Sequence, residues 1–193
     1  MLTLTAMLAR TMRLYGERPA IIDTEGQFTW SEFTNRIARC AALLSNRGIT
    51  PGDRFGILSR NSFRQAELMH AGYWLGAIPV PVNYRLAAAE IEAIFEDADC
   101  QLVAVEEFFF SFVANDCLSH LSDQIVWIPS GGKQTSDCHY EDELQATEPL
   151  PMREASEDDD ALLLYTGGTT GQSKGVRLRD RKSTRLNSSH SEI

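Results

Sequence analysis

Ten consecutive residues, 166–175, concentrate glycines, hydroxyl side chains and a single lysine in one short segment. They read Thr-Gly-Gly-Thr-Thr-Gly-Gln-Ser-Lys-Gly and follow the apolar run 161–165, which predicts a short strand. Glycines allow backbone N–H groups to turn toward an anion, hydroxyls donate further hydrogen bonds, and Lys174 adds a mobile positive charge. This composition is typical of a loop that binds a polyphosphate.

The segment differs from a Walker A motif, which requires Gly-Lys followed directly by Ser or Thr. Here Ser173 precedes Lys174 and Gly175 follows it. Composition alone also allows a plain Gly/Thr turn between two strands, because such turns are common. A phosphate site and an ordinary hairpin turn therefore remain as alternatives on composition.

The order of the residues favours the phosphate site. Segment 165–176 closely resembles the phosphate-loop signature of the AMP-forming acyl-CoA synthetases and adenylating ligases. Segments 28–33, 47–54 and 76–86 also look like the N-terminal region of that family, so the resemblance covers about residues 5–178.

This chain departs from the family pattern at two positions of the loop. The family usually has proline where this chain has Ser173, and often serine where it has Gly167. Ser173 lacks the fixed φ of proline, so we expect a less rigid loop before a ligand binds. The Gly-Gly form resembles the fatty-acyl branch, which favours a medium- or long-chain acid as substrate.

The resemblance implies a reaction in two steps. ATP and a carboxylic acid first give an acyl-adenylate and pyrophosphate, and coenzyme A then takes the acyl group, with Mg²⁺ accompanying the ATP. The resemblance assigns binding of the nucleotide phosphates to residues of the loop. These residues are Thr166, Gly167, Gly168, Thr169, Thr170, Gly171, Ser173 and Lys174.

No catalytic residue is expected within this chain. In the family, the acyl pocket, the acidic residues for metal and ribose, and the mobile C-terminal domain with its catalytic lysine all follow the loop. We therefore predict that this N-terminal fragment is inactive by itself. An amino-acid adenylation domain of a peptide synthetase and a non-catalytic truncated remnant remain as alternatives, and the acceptor, coenzyme A or a carrier protein, stays open.

The elements that must carry the loop alternate between short apolar runs and helical patterns. This alternation predicts βαβ units and a parallel sheet, hence an α/β fold. The resemblance implies that this fold is the truncated N-terminal part of the large domain of an adenylate-forming ligase. The predicted strands are 54–58, 78–82, 102–105 and 124–128, and the predicted helices are 63–75, 87–97 and 108–121.

The N-terminal segment predicts a helix and a hairpin. Residues 1–16 show apolar helical spacing without an acid, which we interpret as a packed helix rather than a transit peptide. A hairpin follows over 20–23 and 27–29, and Thr29 with Glu32 forms a capping box for a helix that ends before Gly48.

Two later segments interrupt the pattern. Residues 129–160 change composition and are interpreted as a connection to a new structural unit. Residues 180–193 show no apolar periodicity and resemble translated sequencing-adapter sequence. We therefore predict a partial adenylation domain over 1–179 and a non-native tail over 180–193.

Composition limits the partners. The chain of 193 residues carries 27 acidic and 18 basic side chains, a net charge of −9, so a broad nucleic-acid or anionic-membrane surface is not expected. No apolar run reaches the roughly 18 residues of a membrane span. Four widely spaced cysteines favour reduced, buried thiols in a cytoplasmic protein. The partner implied by the resemblance is a small-molecule carboxylic acid.

Other candidate groups favour structural roles. Cys117 with His120, and Cys138 with His139, fit no common metal spacing, so no metal site is expected. His70 is interpreted as a packed core histidine. The acidic run 157–160 is interpreted as a solvated loop, and the phenylalanines of the run 108–110 together with Phe112 as core.

Overall fold

A parallel four-stranded sheet organises the protein, whose computed structural model describes residues 3–114, 118–131, 138–166 and 174–180. In chain order the helices and strands are α1 (Leu4–Tyr15), β1 (Pro19–Ile22), β2 (Gln27–Thr29), α2 (Trp30–Asn46), β3 (Arg54–Leu58), α3 (Phe63–Leu75), β4 (Ile78–Pro81), α4 (Ala88–Asp97), β5 (Leu102–Glu106), α5 (Phe110–Val113), β6 (Ile125–Ile128), α6 (Tyr140–Ala146), β7 (Asp160–Thr166) and β8 (Lys174–Arg179). The sheet has the order β4-β3-β5-β6, and every neighbouring pair is parallel. The predicted α/β class is confirmed.

The two faces of the sheet bury different helices. On one face Phe55 and Leu102 belong to a core shared with α2 and α3. On the other face Val103 packs with Phe95 of α4. Successive strand residues point to opposite faces, so β3 and β5 are apolar almost throughout, as a strand covered on both sides must be. Gly56 permits the close approach of α4, because a Cβ there would lie 2.5 Å from the Phe95 ring.

Local signals correctly predicted most of these elements. The Thr29 and Glu32 capping box starts α2, and α3 runs from Phe63 to Leu75 as its pattern predicts. Ser62 caps the start of α3 by accepting from the Gln65 amide. The N-terminal helix and the β1–β2 hairpin also form as expected, and α1 packs against α2 and α3 through Leu8.

The predicted helix over 108–121 is wrong. A 3₁₀ turn over Glu107–Phe109 leads into the single turn of α5, and a second 3₁₀ segment runs from Ser119 to Gln124. Leu118, before that second segment, has φ of 66°, which a continuous helix does not allow.

The aromatic run beside α5 is only partly core. Phe109 is buried, and Phe112 packs against the core, whereas Phe108 and Phe110 are 57% and 56% exposed. The prediction that all these rings lie in the core is therefore wrong for two of them. Apolar composition identified the segment but not which rings point inward.

The connection over 129–160 contains an element that sequence reasoning missed. Helix α6 is short, and it buries Tyr140 and Leu144 against α2. Two features of the sequence could have indicated this helix: the spacing of four residues between Tyr140 and Leu144, and the three acids that lie between them in the first turn.

A buried ionic cluster joins α6 to α2 and α3. Glu67 is fully buried and accepts from the Arg36 guanidinium and, at 2.5 Å, from the Tyr140 hydroxyl. Arg36 also donates to Glu141. Burial raises the pKa of Glu67 despite the opposing charge of Arg36, because desolvation is the larger effect.

We expect Glu67→Ala to lower the free energy of unfolding by about 3 kcal/mol, since it leaves one edge of Arg36 without a buried acceptor and leaves the Tyr140 hydroxyl only the Cys40 sulfur, a weak acceptor. The value lies at the low end for a broken buried pair because Arg36 keeps Glu141. Urea unfolding of the chain measures it. Glu143→Ala is the control. It removes the carboxylate that pairs with Arg47, which is far more exposed than Glu67, and should change the free energy of unfolding by less than about 1 kcal/mol. Equal effects of the two substitutions would contradict the structural importance of the cluster.

Within the part of the chain that the structure describes, no helix is both long and apolar enough to cross a bilayer.

Candidate functional site

The glycine-rich segment joins two antiparallel strands. β7 and β8 form a separate two-stranded sheet, and Thr166 pairs with Lys174 at the end where segment 167–173 connects the two strands. Both residues are exposed. The structure therefore brings together the first and the last of the predicted phosphate-binding residues. The other six lie outside the described residues: Gly167, Gly168, Thr169, Thr170, Gly171 and Ser173.

The hairpin packs beside the main sheet without joining its hydrogen-bond ladder. β7 lies along β4, and its Leu163 is buried in the core cluster of β4 and α4, against which Tyr165 also packs. The alternation of strand side chains puts 161, 163 and 165 toward this core. The loop thus begins at the end of a strand held by apolar contacts, and it ends at the start of the antiparallel partner strand β8.

Two contacts at the base of the loop were missed by sequence reasoning. The Tyr165 hydroxyl donates to Asp97 at the end of α4, and the Tyr165 ring lies against Gly175, its cross-strand partner. The sequence separation of 68 between Tyr165 and Asp97 gives no local signal for this bond. The glycine opposite an aromatic residue was the only available hint.

The acidic run before β7 is partly ion-paired rather than simply solvated. Asp159 accepts from the Ser156 amide and from Arg153, and these two contacts lower the pKa of Asp159, the backbone bond more strongly. Asp160 pairs with Arg177 of β8. Residues 157–159 form a turn in which the Asp158 side chain is 85% exposed, whereas Asp160 begins β7 with 16% of its side chain exposed. The expected solvated loop is therefore wrong for Asp160, and Asp159 is ion-paired within it. These pairs stabilise the end of the hairpin that lies away from the loop.

Asp180 follows β8 and is also held in place. Its amide donates to the Asp159 carbonyl, and its carboxylate accepts from the Leu4 amide at 2.7 Å, at the start of α1. Asp180 is the first residue of the predicted non-native tail, and residues 181–193 lie outside the described residues. Burial raises the pKa of Asp180 more than the Leu4 hydrogen bond lowers it.

The three cysteines that the structure describes lack the features of nucleophiles. Cys40, Cys100 and Cys138 are buried and free. Burial raises the pKa of Cys100 to about 12 and that of Cys138 to about 11, which disfavours their thiolates. In the described ranges no three His, Cys, Asp or Glu side chains converge as metal ligands, and Cys117 and the His120 side chain lie outside the description.

His70 is a packed histidine, as predicted. Its Nδ1 lies 2.8 Å from the Ala66 carbonyl within α3, and its ring contacts Phe33 and Tyr73. Burial lowers the pKa of His70, so the neutral ring is favoured.

The fold combines a parallel α/β sheet with an antiparallel hairpin whose two strands flank a segment rich in glycine and hydroxyl side chains. The family model described as AMP-binding enzyme matches residues 8–191, and the chain belongs to this family. The resemblance seen in the loop sequence is thereby confirmed.

Individual relatives are CoA ligases. The chain is 32% identical to the 3-oxocholest-4-en-26-oate CoA ligase of Rhodococcus rhodochrous, with 92% of this chain and 33% of the relative covered. It is 31% identical to the long-chain-fatty-acid CoA ligase FadD13 of Mycobacterium tuberculosis, with 79% of this chain and 30% of the relative covered. The chain thus spans about a third of the length of these curated relatives.

A solved structure supports the same family assignment. The inhibitor-bound N-terminal domain of FACL13 from Mycobacterium tuberculosis superposes with a TM-score of 0.80 at 28% identity, covering 93% of this chain and 45% of that domain chain. The described fold therefore corresponds to part of the N-terminal domain of an adenylate-forming ligase.

Proposed function

We propose that residues 166–174 bind the phosphates of ATP in a ligase that converts a carboxylic acid to its adenylate and then to its CoA thioester. The observation that carries this proposal is the pairing of Thr166 with Lys174 at the exposed end of the hairpin that carries the loop. Thr166 supplies a hydroxyl and Lys174 an ammonium group at the two ends of a segment with three glycines. Backbone amides of such a segment suit an anion, and Lys174 adds positive charge in a chain of net charge −9.

We propose a fatty acid or a similar apolar acid as the substrate. The two relatives described above act, by their names, on long-chain fatty acids and on a 3-oxocholest-4-en-26-oate. Both acids join a carboxylate to a large apolar body. Mg²⁺ fits the reaction as the counterion of the ATP phosphates, and coenzyme A fits it as the acyl acceptor.

We further propose that residues 1–179 form a partial adenylation domain of a cytoplasmic enzyme and that 180–193 are a non-native tail. The three described cysteines are free and buried, as in proteins of reducing compartments. An independent determination of the coding sequence beyond codon 179 tests the boundary. A reading frame that continues with family sequence supports the proposal, whereas the same 180–193 sequence followed by a stop codon contradicts it.

Binding of MgATP to the chain tests the assigned role of the loop. Lys174→Ala should raise the dissociation constant by about 5- to 30-fold, because one charge-assisted contact to a phosphate is lost. Isothermal titration measures the constants. Arg179→Ala removes an exposed positive charge at the far end of the same strand and is the matched control. Equal dissociation constants for the wild type and Lys174→Ala would contradict phosphate binding by Lys174.

The alternative of an amino-acid adenylation domain predicts a different substrate. The apolar acids named for the relatives favour the acid–CoA ligase. In an intact enzyme containing this chain, adenylation that requires an α-amino group on the substrate would overturn the preferred proposal.

A further inference from the structure

Tyr165 immediately precedes the loop and packs against the opposite strand. A Cβ added at Gly175 would lie 3.2 Å from Cζ of the Tyr165 ring and 3.3 Å from Leu163. These distances are shorter than ordinary contacts, so a larger residue at 175 would displace the ring. Gly175 and Tyr165 therefore form a complementary cross-strand pair, in which the aromatic ring covers the strand glycine.

The Tyr165 hydroxyl ties this pair to a different part of the fold. It donates to the Asp97 carboxylate with an oxygen–oxygen distance of 2.5 Å. Burial and the neighbouring carboxylate both raise the pKa of Tyr165, so the hydroxyl keeps its proton and remains a donor at neutral pH. A hydrogen bond to an ionised acceptor is among the stronger kinds in proteins.

Asp97 offers a fixed attachment point. It ends α4, whose Ile91 and Phe95 are fully buried against the main sheet. The β7–β8 hairpin shares no backbone ladder with that sheet. The hairpin contacts this part of the fold through apolar packing of Leu163 and through the hydrogen bond from the Tyr165 hydroxyl to Asp97. Apolar packing is tolerant of small sliding motions, whereas a hydrogen bond specifies one position along the strand.

The register of this hairpin decides where Lys174 lies. In the observed register Lys174 is opposite Thr166, one pair beyond Tyr165 and Gly175. A slip by one residue would turn Lys174 to the opposite face of the strand pair. Strands that contain glycine specify their register weakly, so an additional contact at this point stabilises the observed register.

We propose that Tyr165 is a positioning residue of the loop, which through Gly175 and Asp97 holds the hairpin in the register that places Lys174 opposite Thr166. The identity of the ligand rests on the proposed function, whereas the register does not. Tyr165 acts through the strand pair and is not assigned a contact with the substrate.

Amide hydrogen exchange of the ligand-free chain tests the register, with Tyr165→Phe and Asp97→Ala as the variants. Each should speed exchange in segments 162–165 and 174–178 by about tenfold, since each removes the same hydrogen bond. Because they share one bond, the double variant should exchange no faster than either single variant. Exchange in β3 and β5 should stay unchanged.

Two further variants separate positioning from general structural damage. Asp97→Asn keeps a side-chain oxygen that can accept from Tyr165, and we expect exchange within about twofold of wild type. Tyr15→Phe removes a hydroxyl from an exposed tyrosine of α1 and should have no effect on the hairpin. Wild-type exchange in both Tyr165→Phe and Asp97→Ala, additive effects of the two, or failure of Asp97→Asn to restore protection would overturn the proposal.

MgATP binding completes the test. Tyr165→Phe should raise the dissociation constant by about 3- to 10-fold, and Asp97→Asn should leave it within about twofold of wild type. If Lys174→Ala left binding unchanged while the exchange results held, the proposed function would fail and the register role would stand. If Lys174→Ala weakened binding but Tyr165→Phe did not, the positioning role would fail and the proposed function would stand.

Discussion

Lys174→Ala should slow adenylate formation by about 30- to 1000-fold in an intact ligase that contains residues 1–179. Negative charge develops on the departing pyrophosphate in the transition state, and we propose that Lys174 lies beside it. Loss of one such contact costs on the order of 2 to 4 kcal/mol. Lys174→Arg should recover only part of the rate, because its planar, larger head places the charge differently. Single-turnover formation of the adenylate measures the effect.

The second half-reaction supplies the control for Lys174. Transfer of the acyl group from synthetic acyl-adenylate to coenzyme A should be much less affected, because pyrophosphate has already left. Equal losses in both half-reactions, or a loss in neither, would show that Lys174 does not act on the leaving phosphates. The exposed position of Lys174 argues against a merely structural role for its side chain.

The 193-residue chain by itself should show no acid-dependent exchange of labelled pyrophosphate into ATP. The chain spans about a third of the length of its curated relatives, and alignment of two substrates for reaction accounts for a large part of enzymatic rate enhancement. We expect exchange below detection under conditions in which an intact acyl-CoA ligase is readily measured. Acid-dependent exchange that Lys174→Ala abolishes would show instead that this chain holds a complete adenylation site.

Local sequence patterns predicted the main secondary structure well. The bounds of β3 and α3 agree with the prediction, because alternating buried strands and a capped helix are specified by neighbouring residues. Short elements were predicted less well. α6 is only seven residues long, and α5 is a single turn, so neither contains enough periods of apolar spacing to be recognised.

Buried polar contacts could not be predicted from local patterns. Helix α3 reads as apolar on nearly all sides, yet it buries Arg64 and Glu67. The partners of Glu67 are Arg36 and Tyr140, which are 31 and 73 residues away along the chain. Only the packing of α2, α3 and α6 brings these groups together.

For the loop itself, the sequence alone determined the residue types suited to phosphate and the family to which they belong, and the family match confirms the latter. The tertiary structure decided that Thr166 and Lys174 face each other across an antiparallel pair and that Asp97 anchors Tyr165. The physical reason is the distance along the chain over which each feature is determined. Glycines, hydroxyls and a lysine within ten residues express their chemistry locally, whereas strand register and a hydrogen bond spanning 68 residues depend on how distant elements pack.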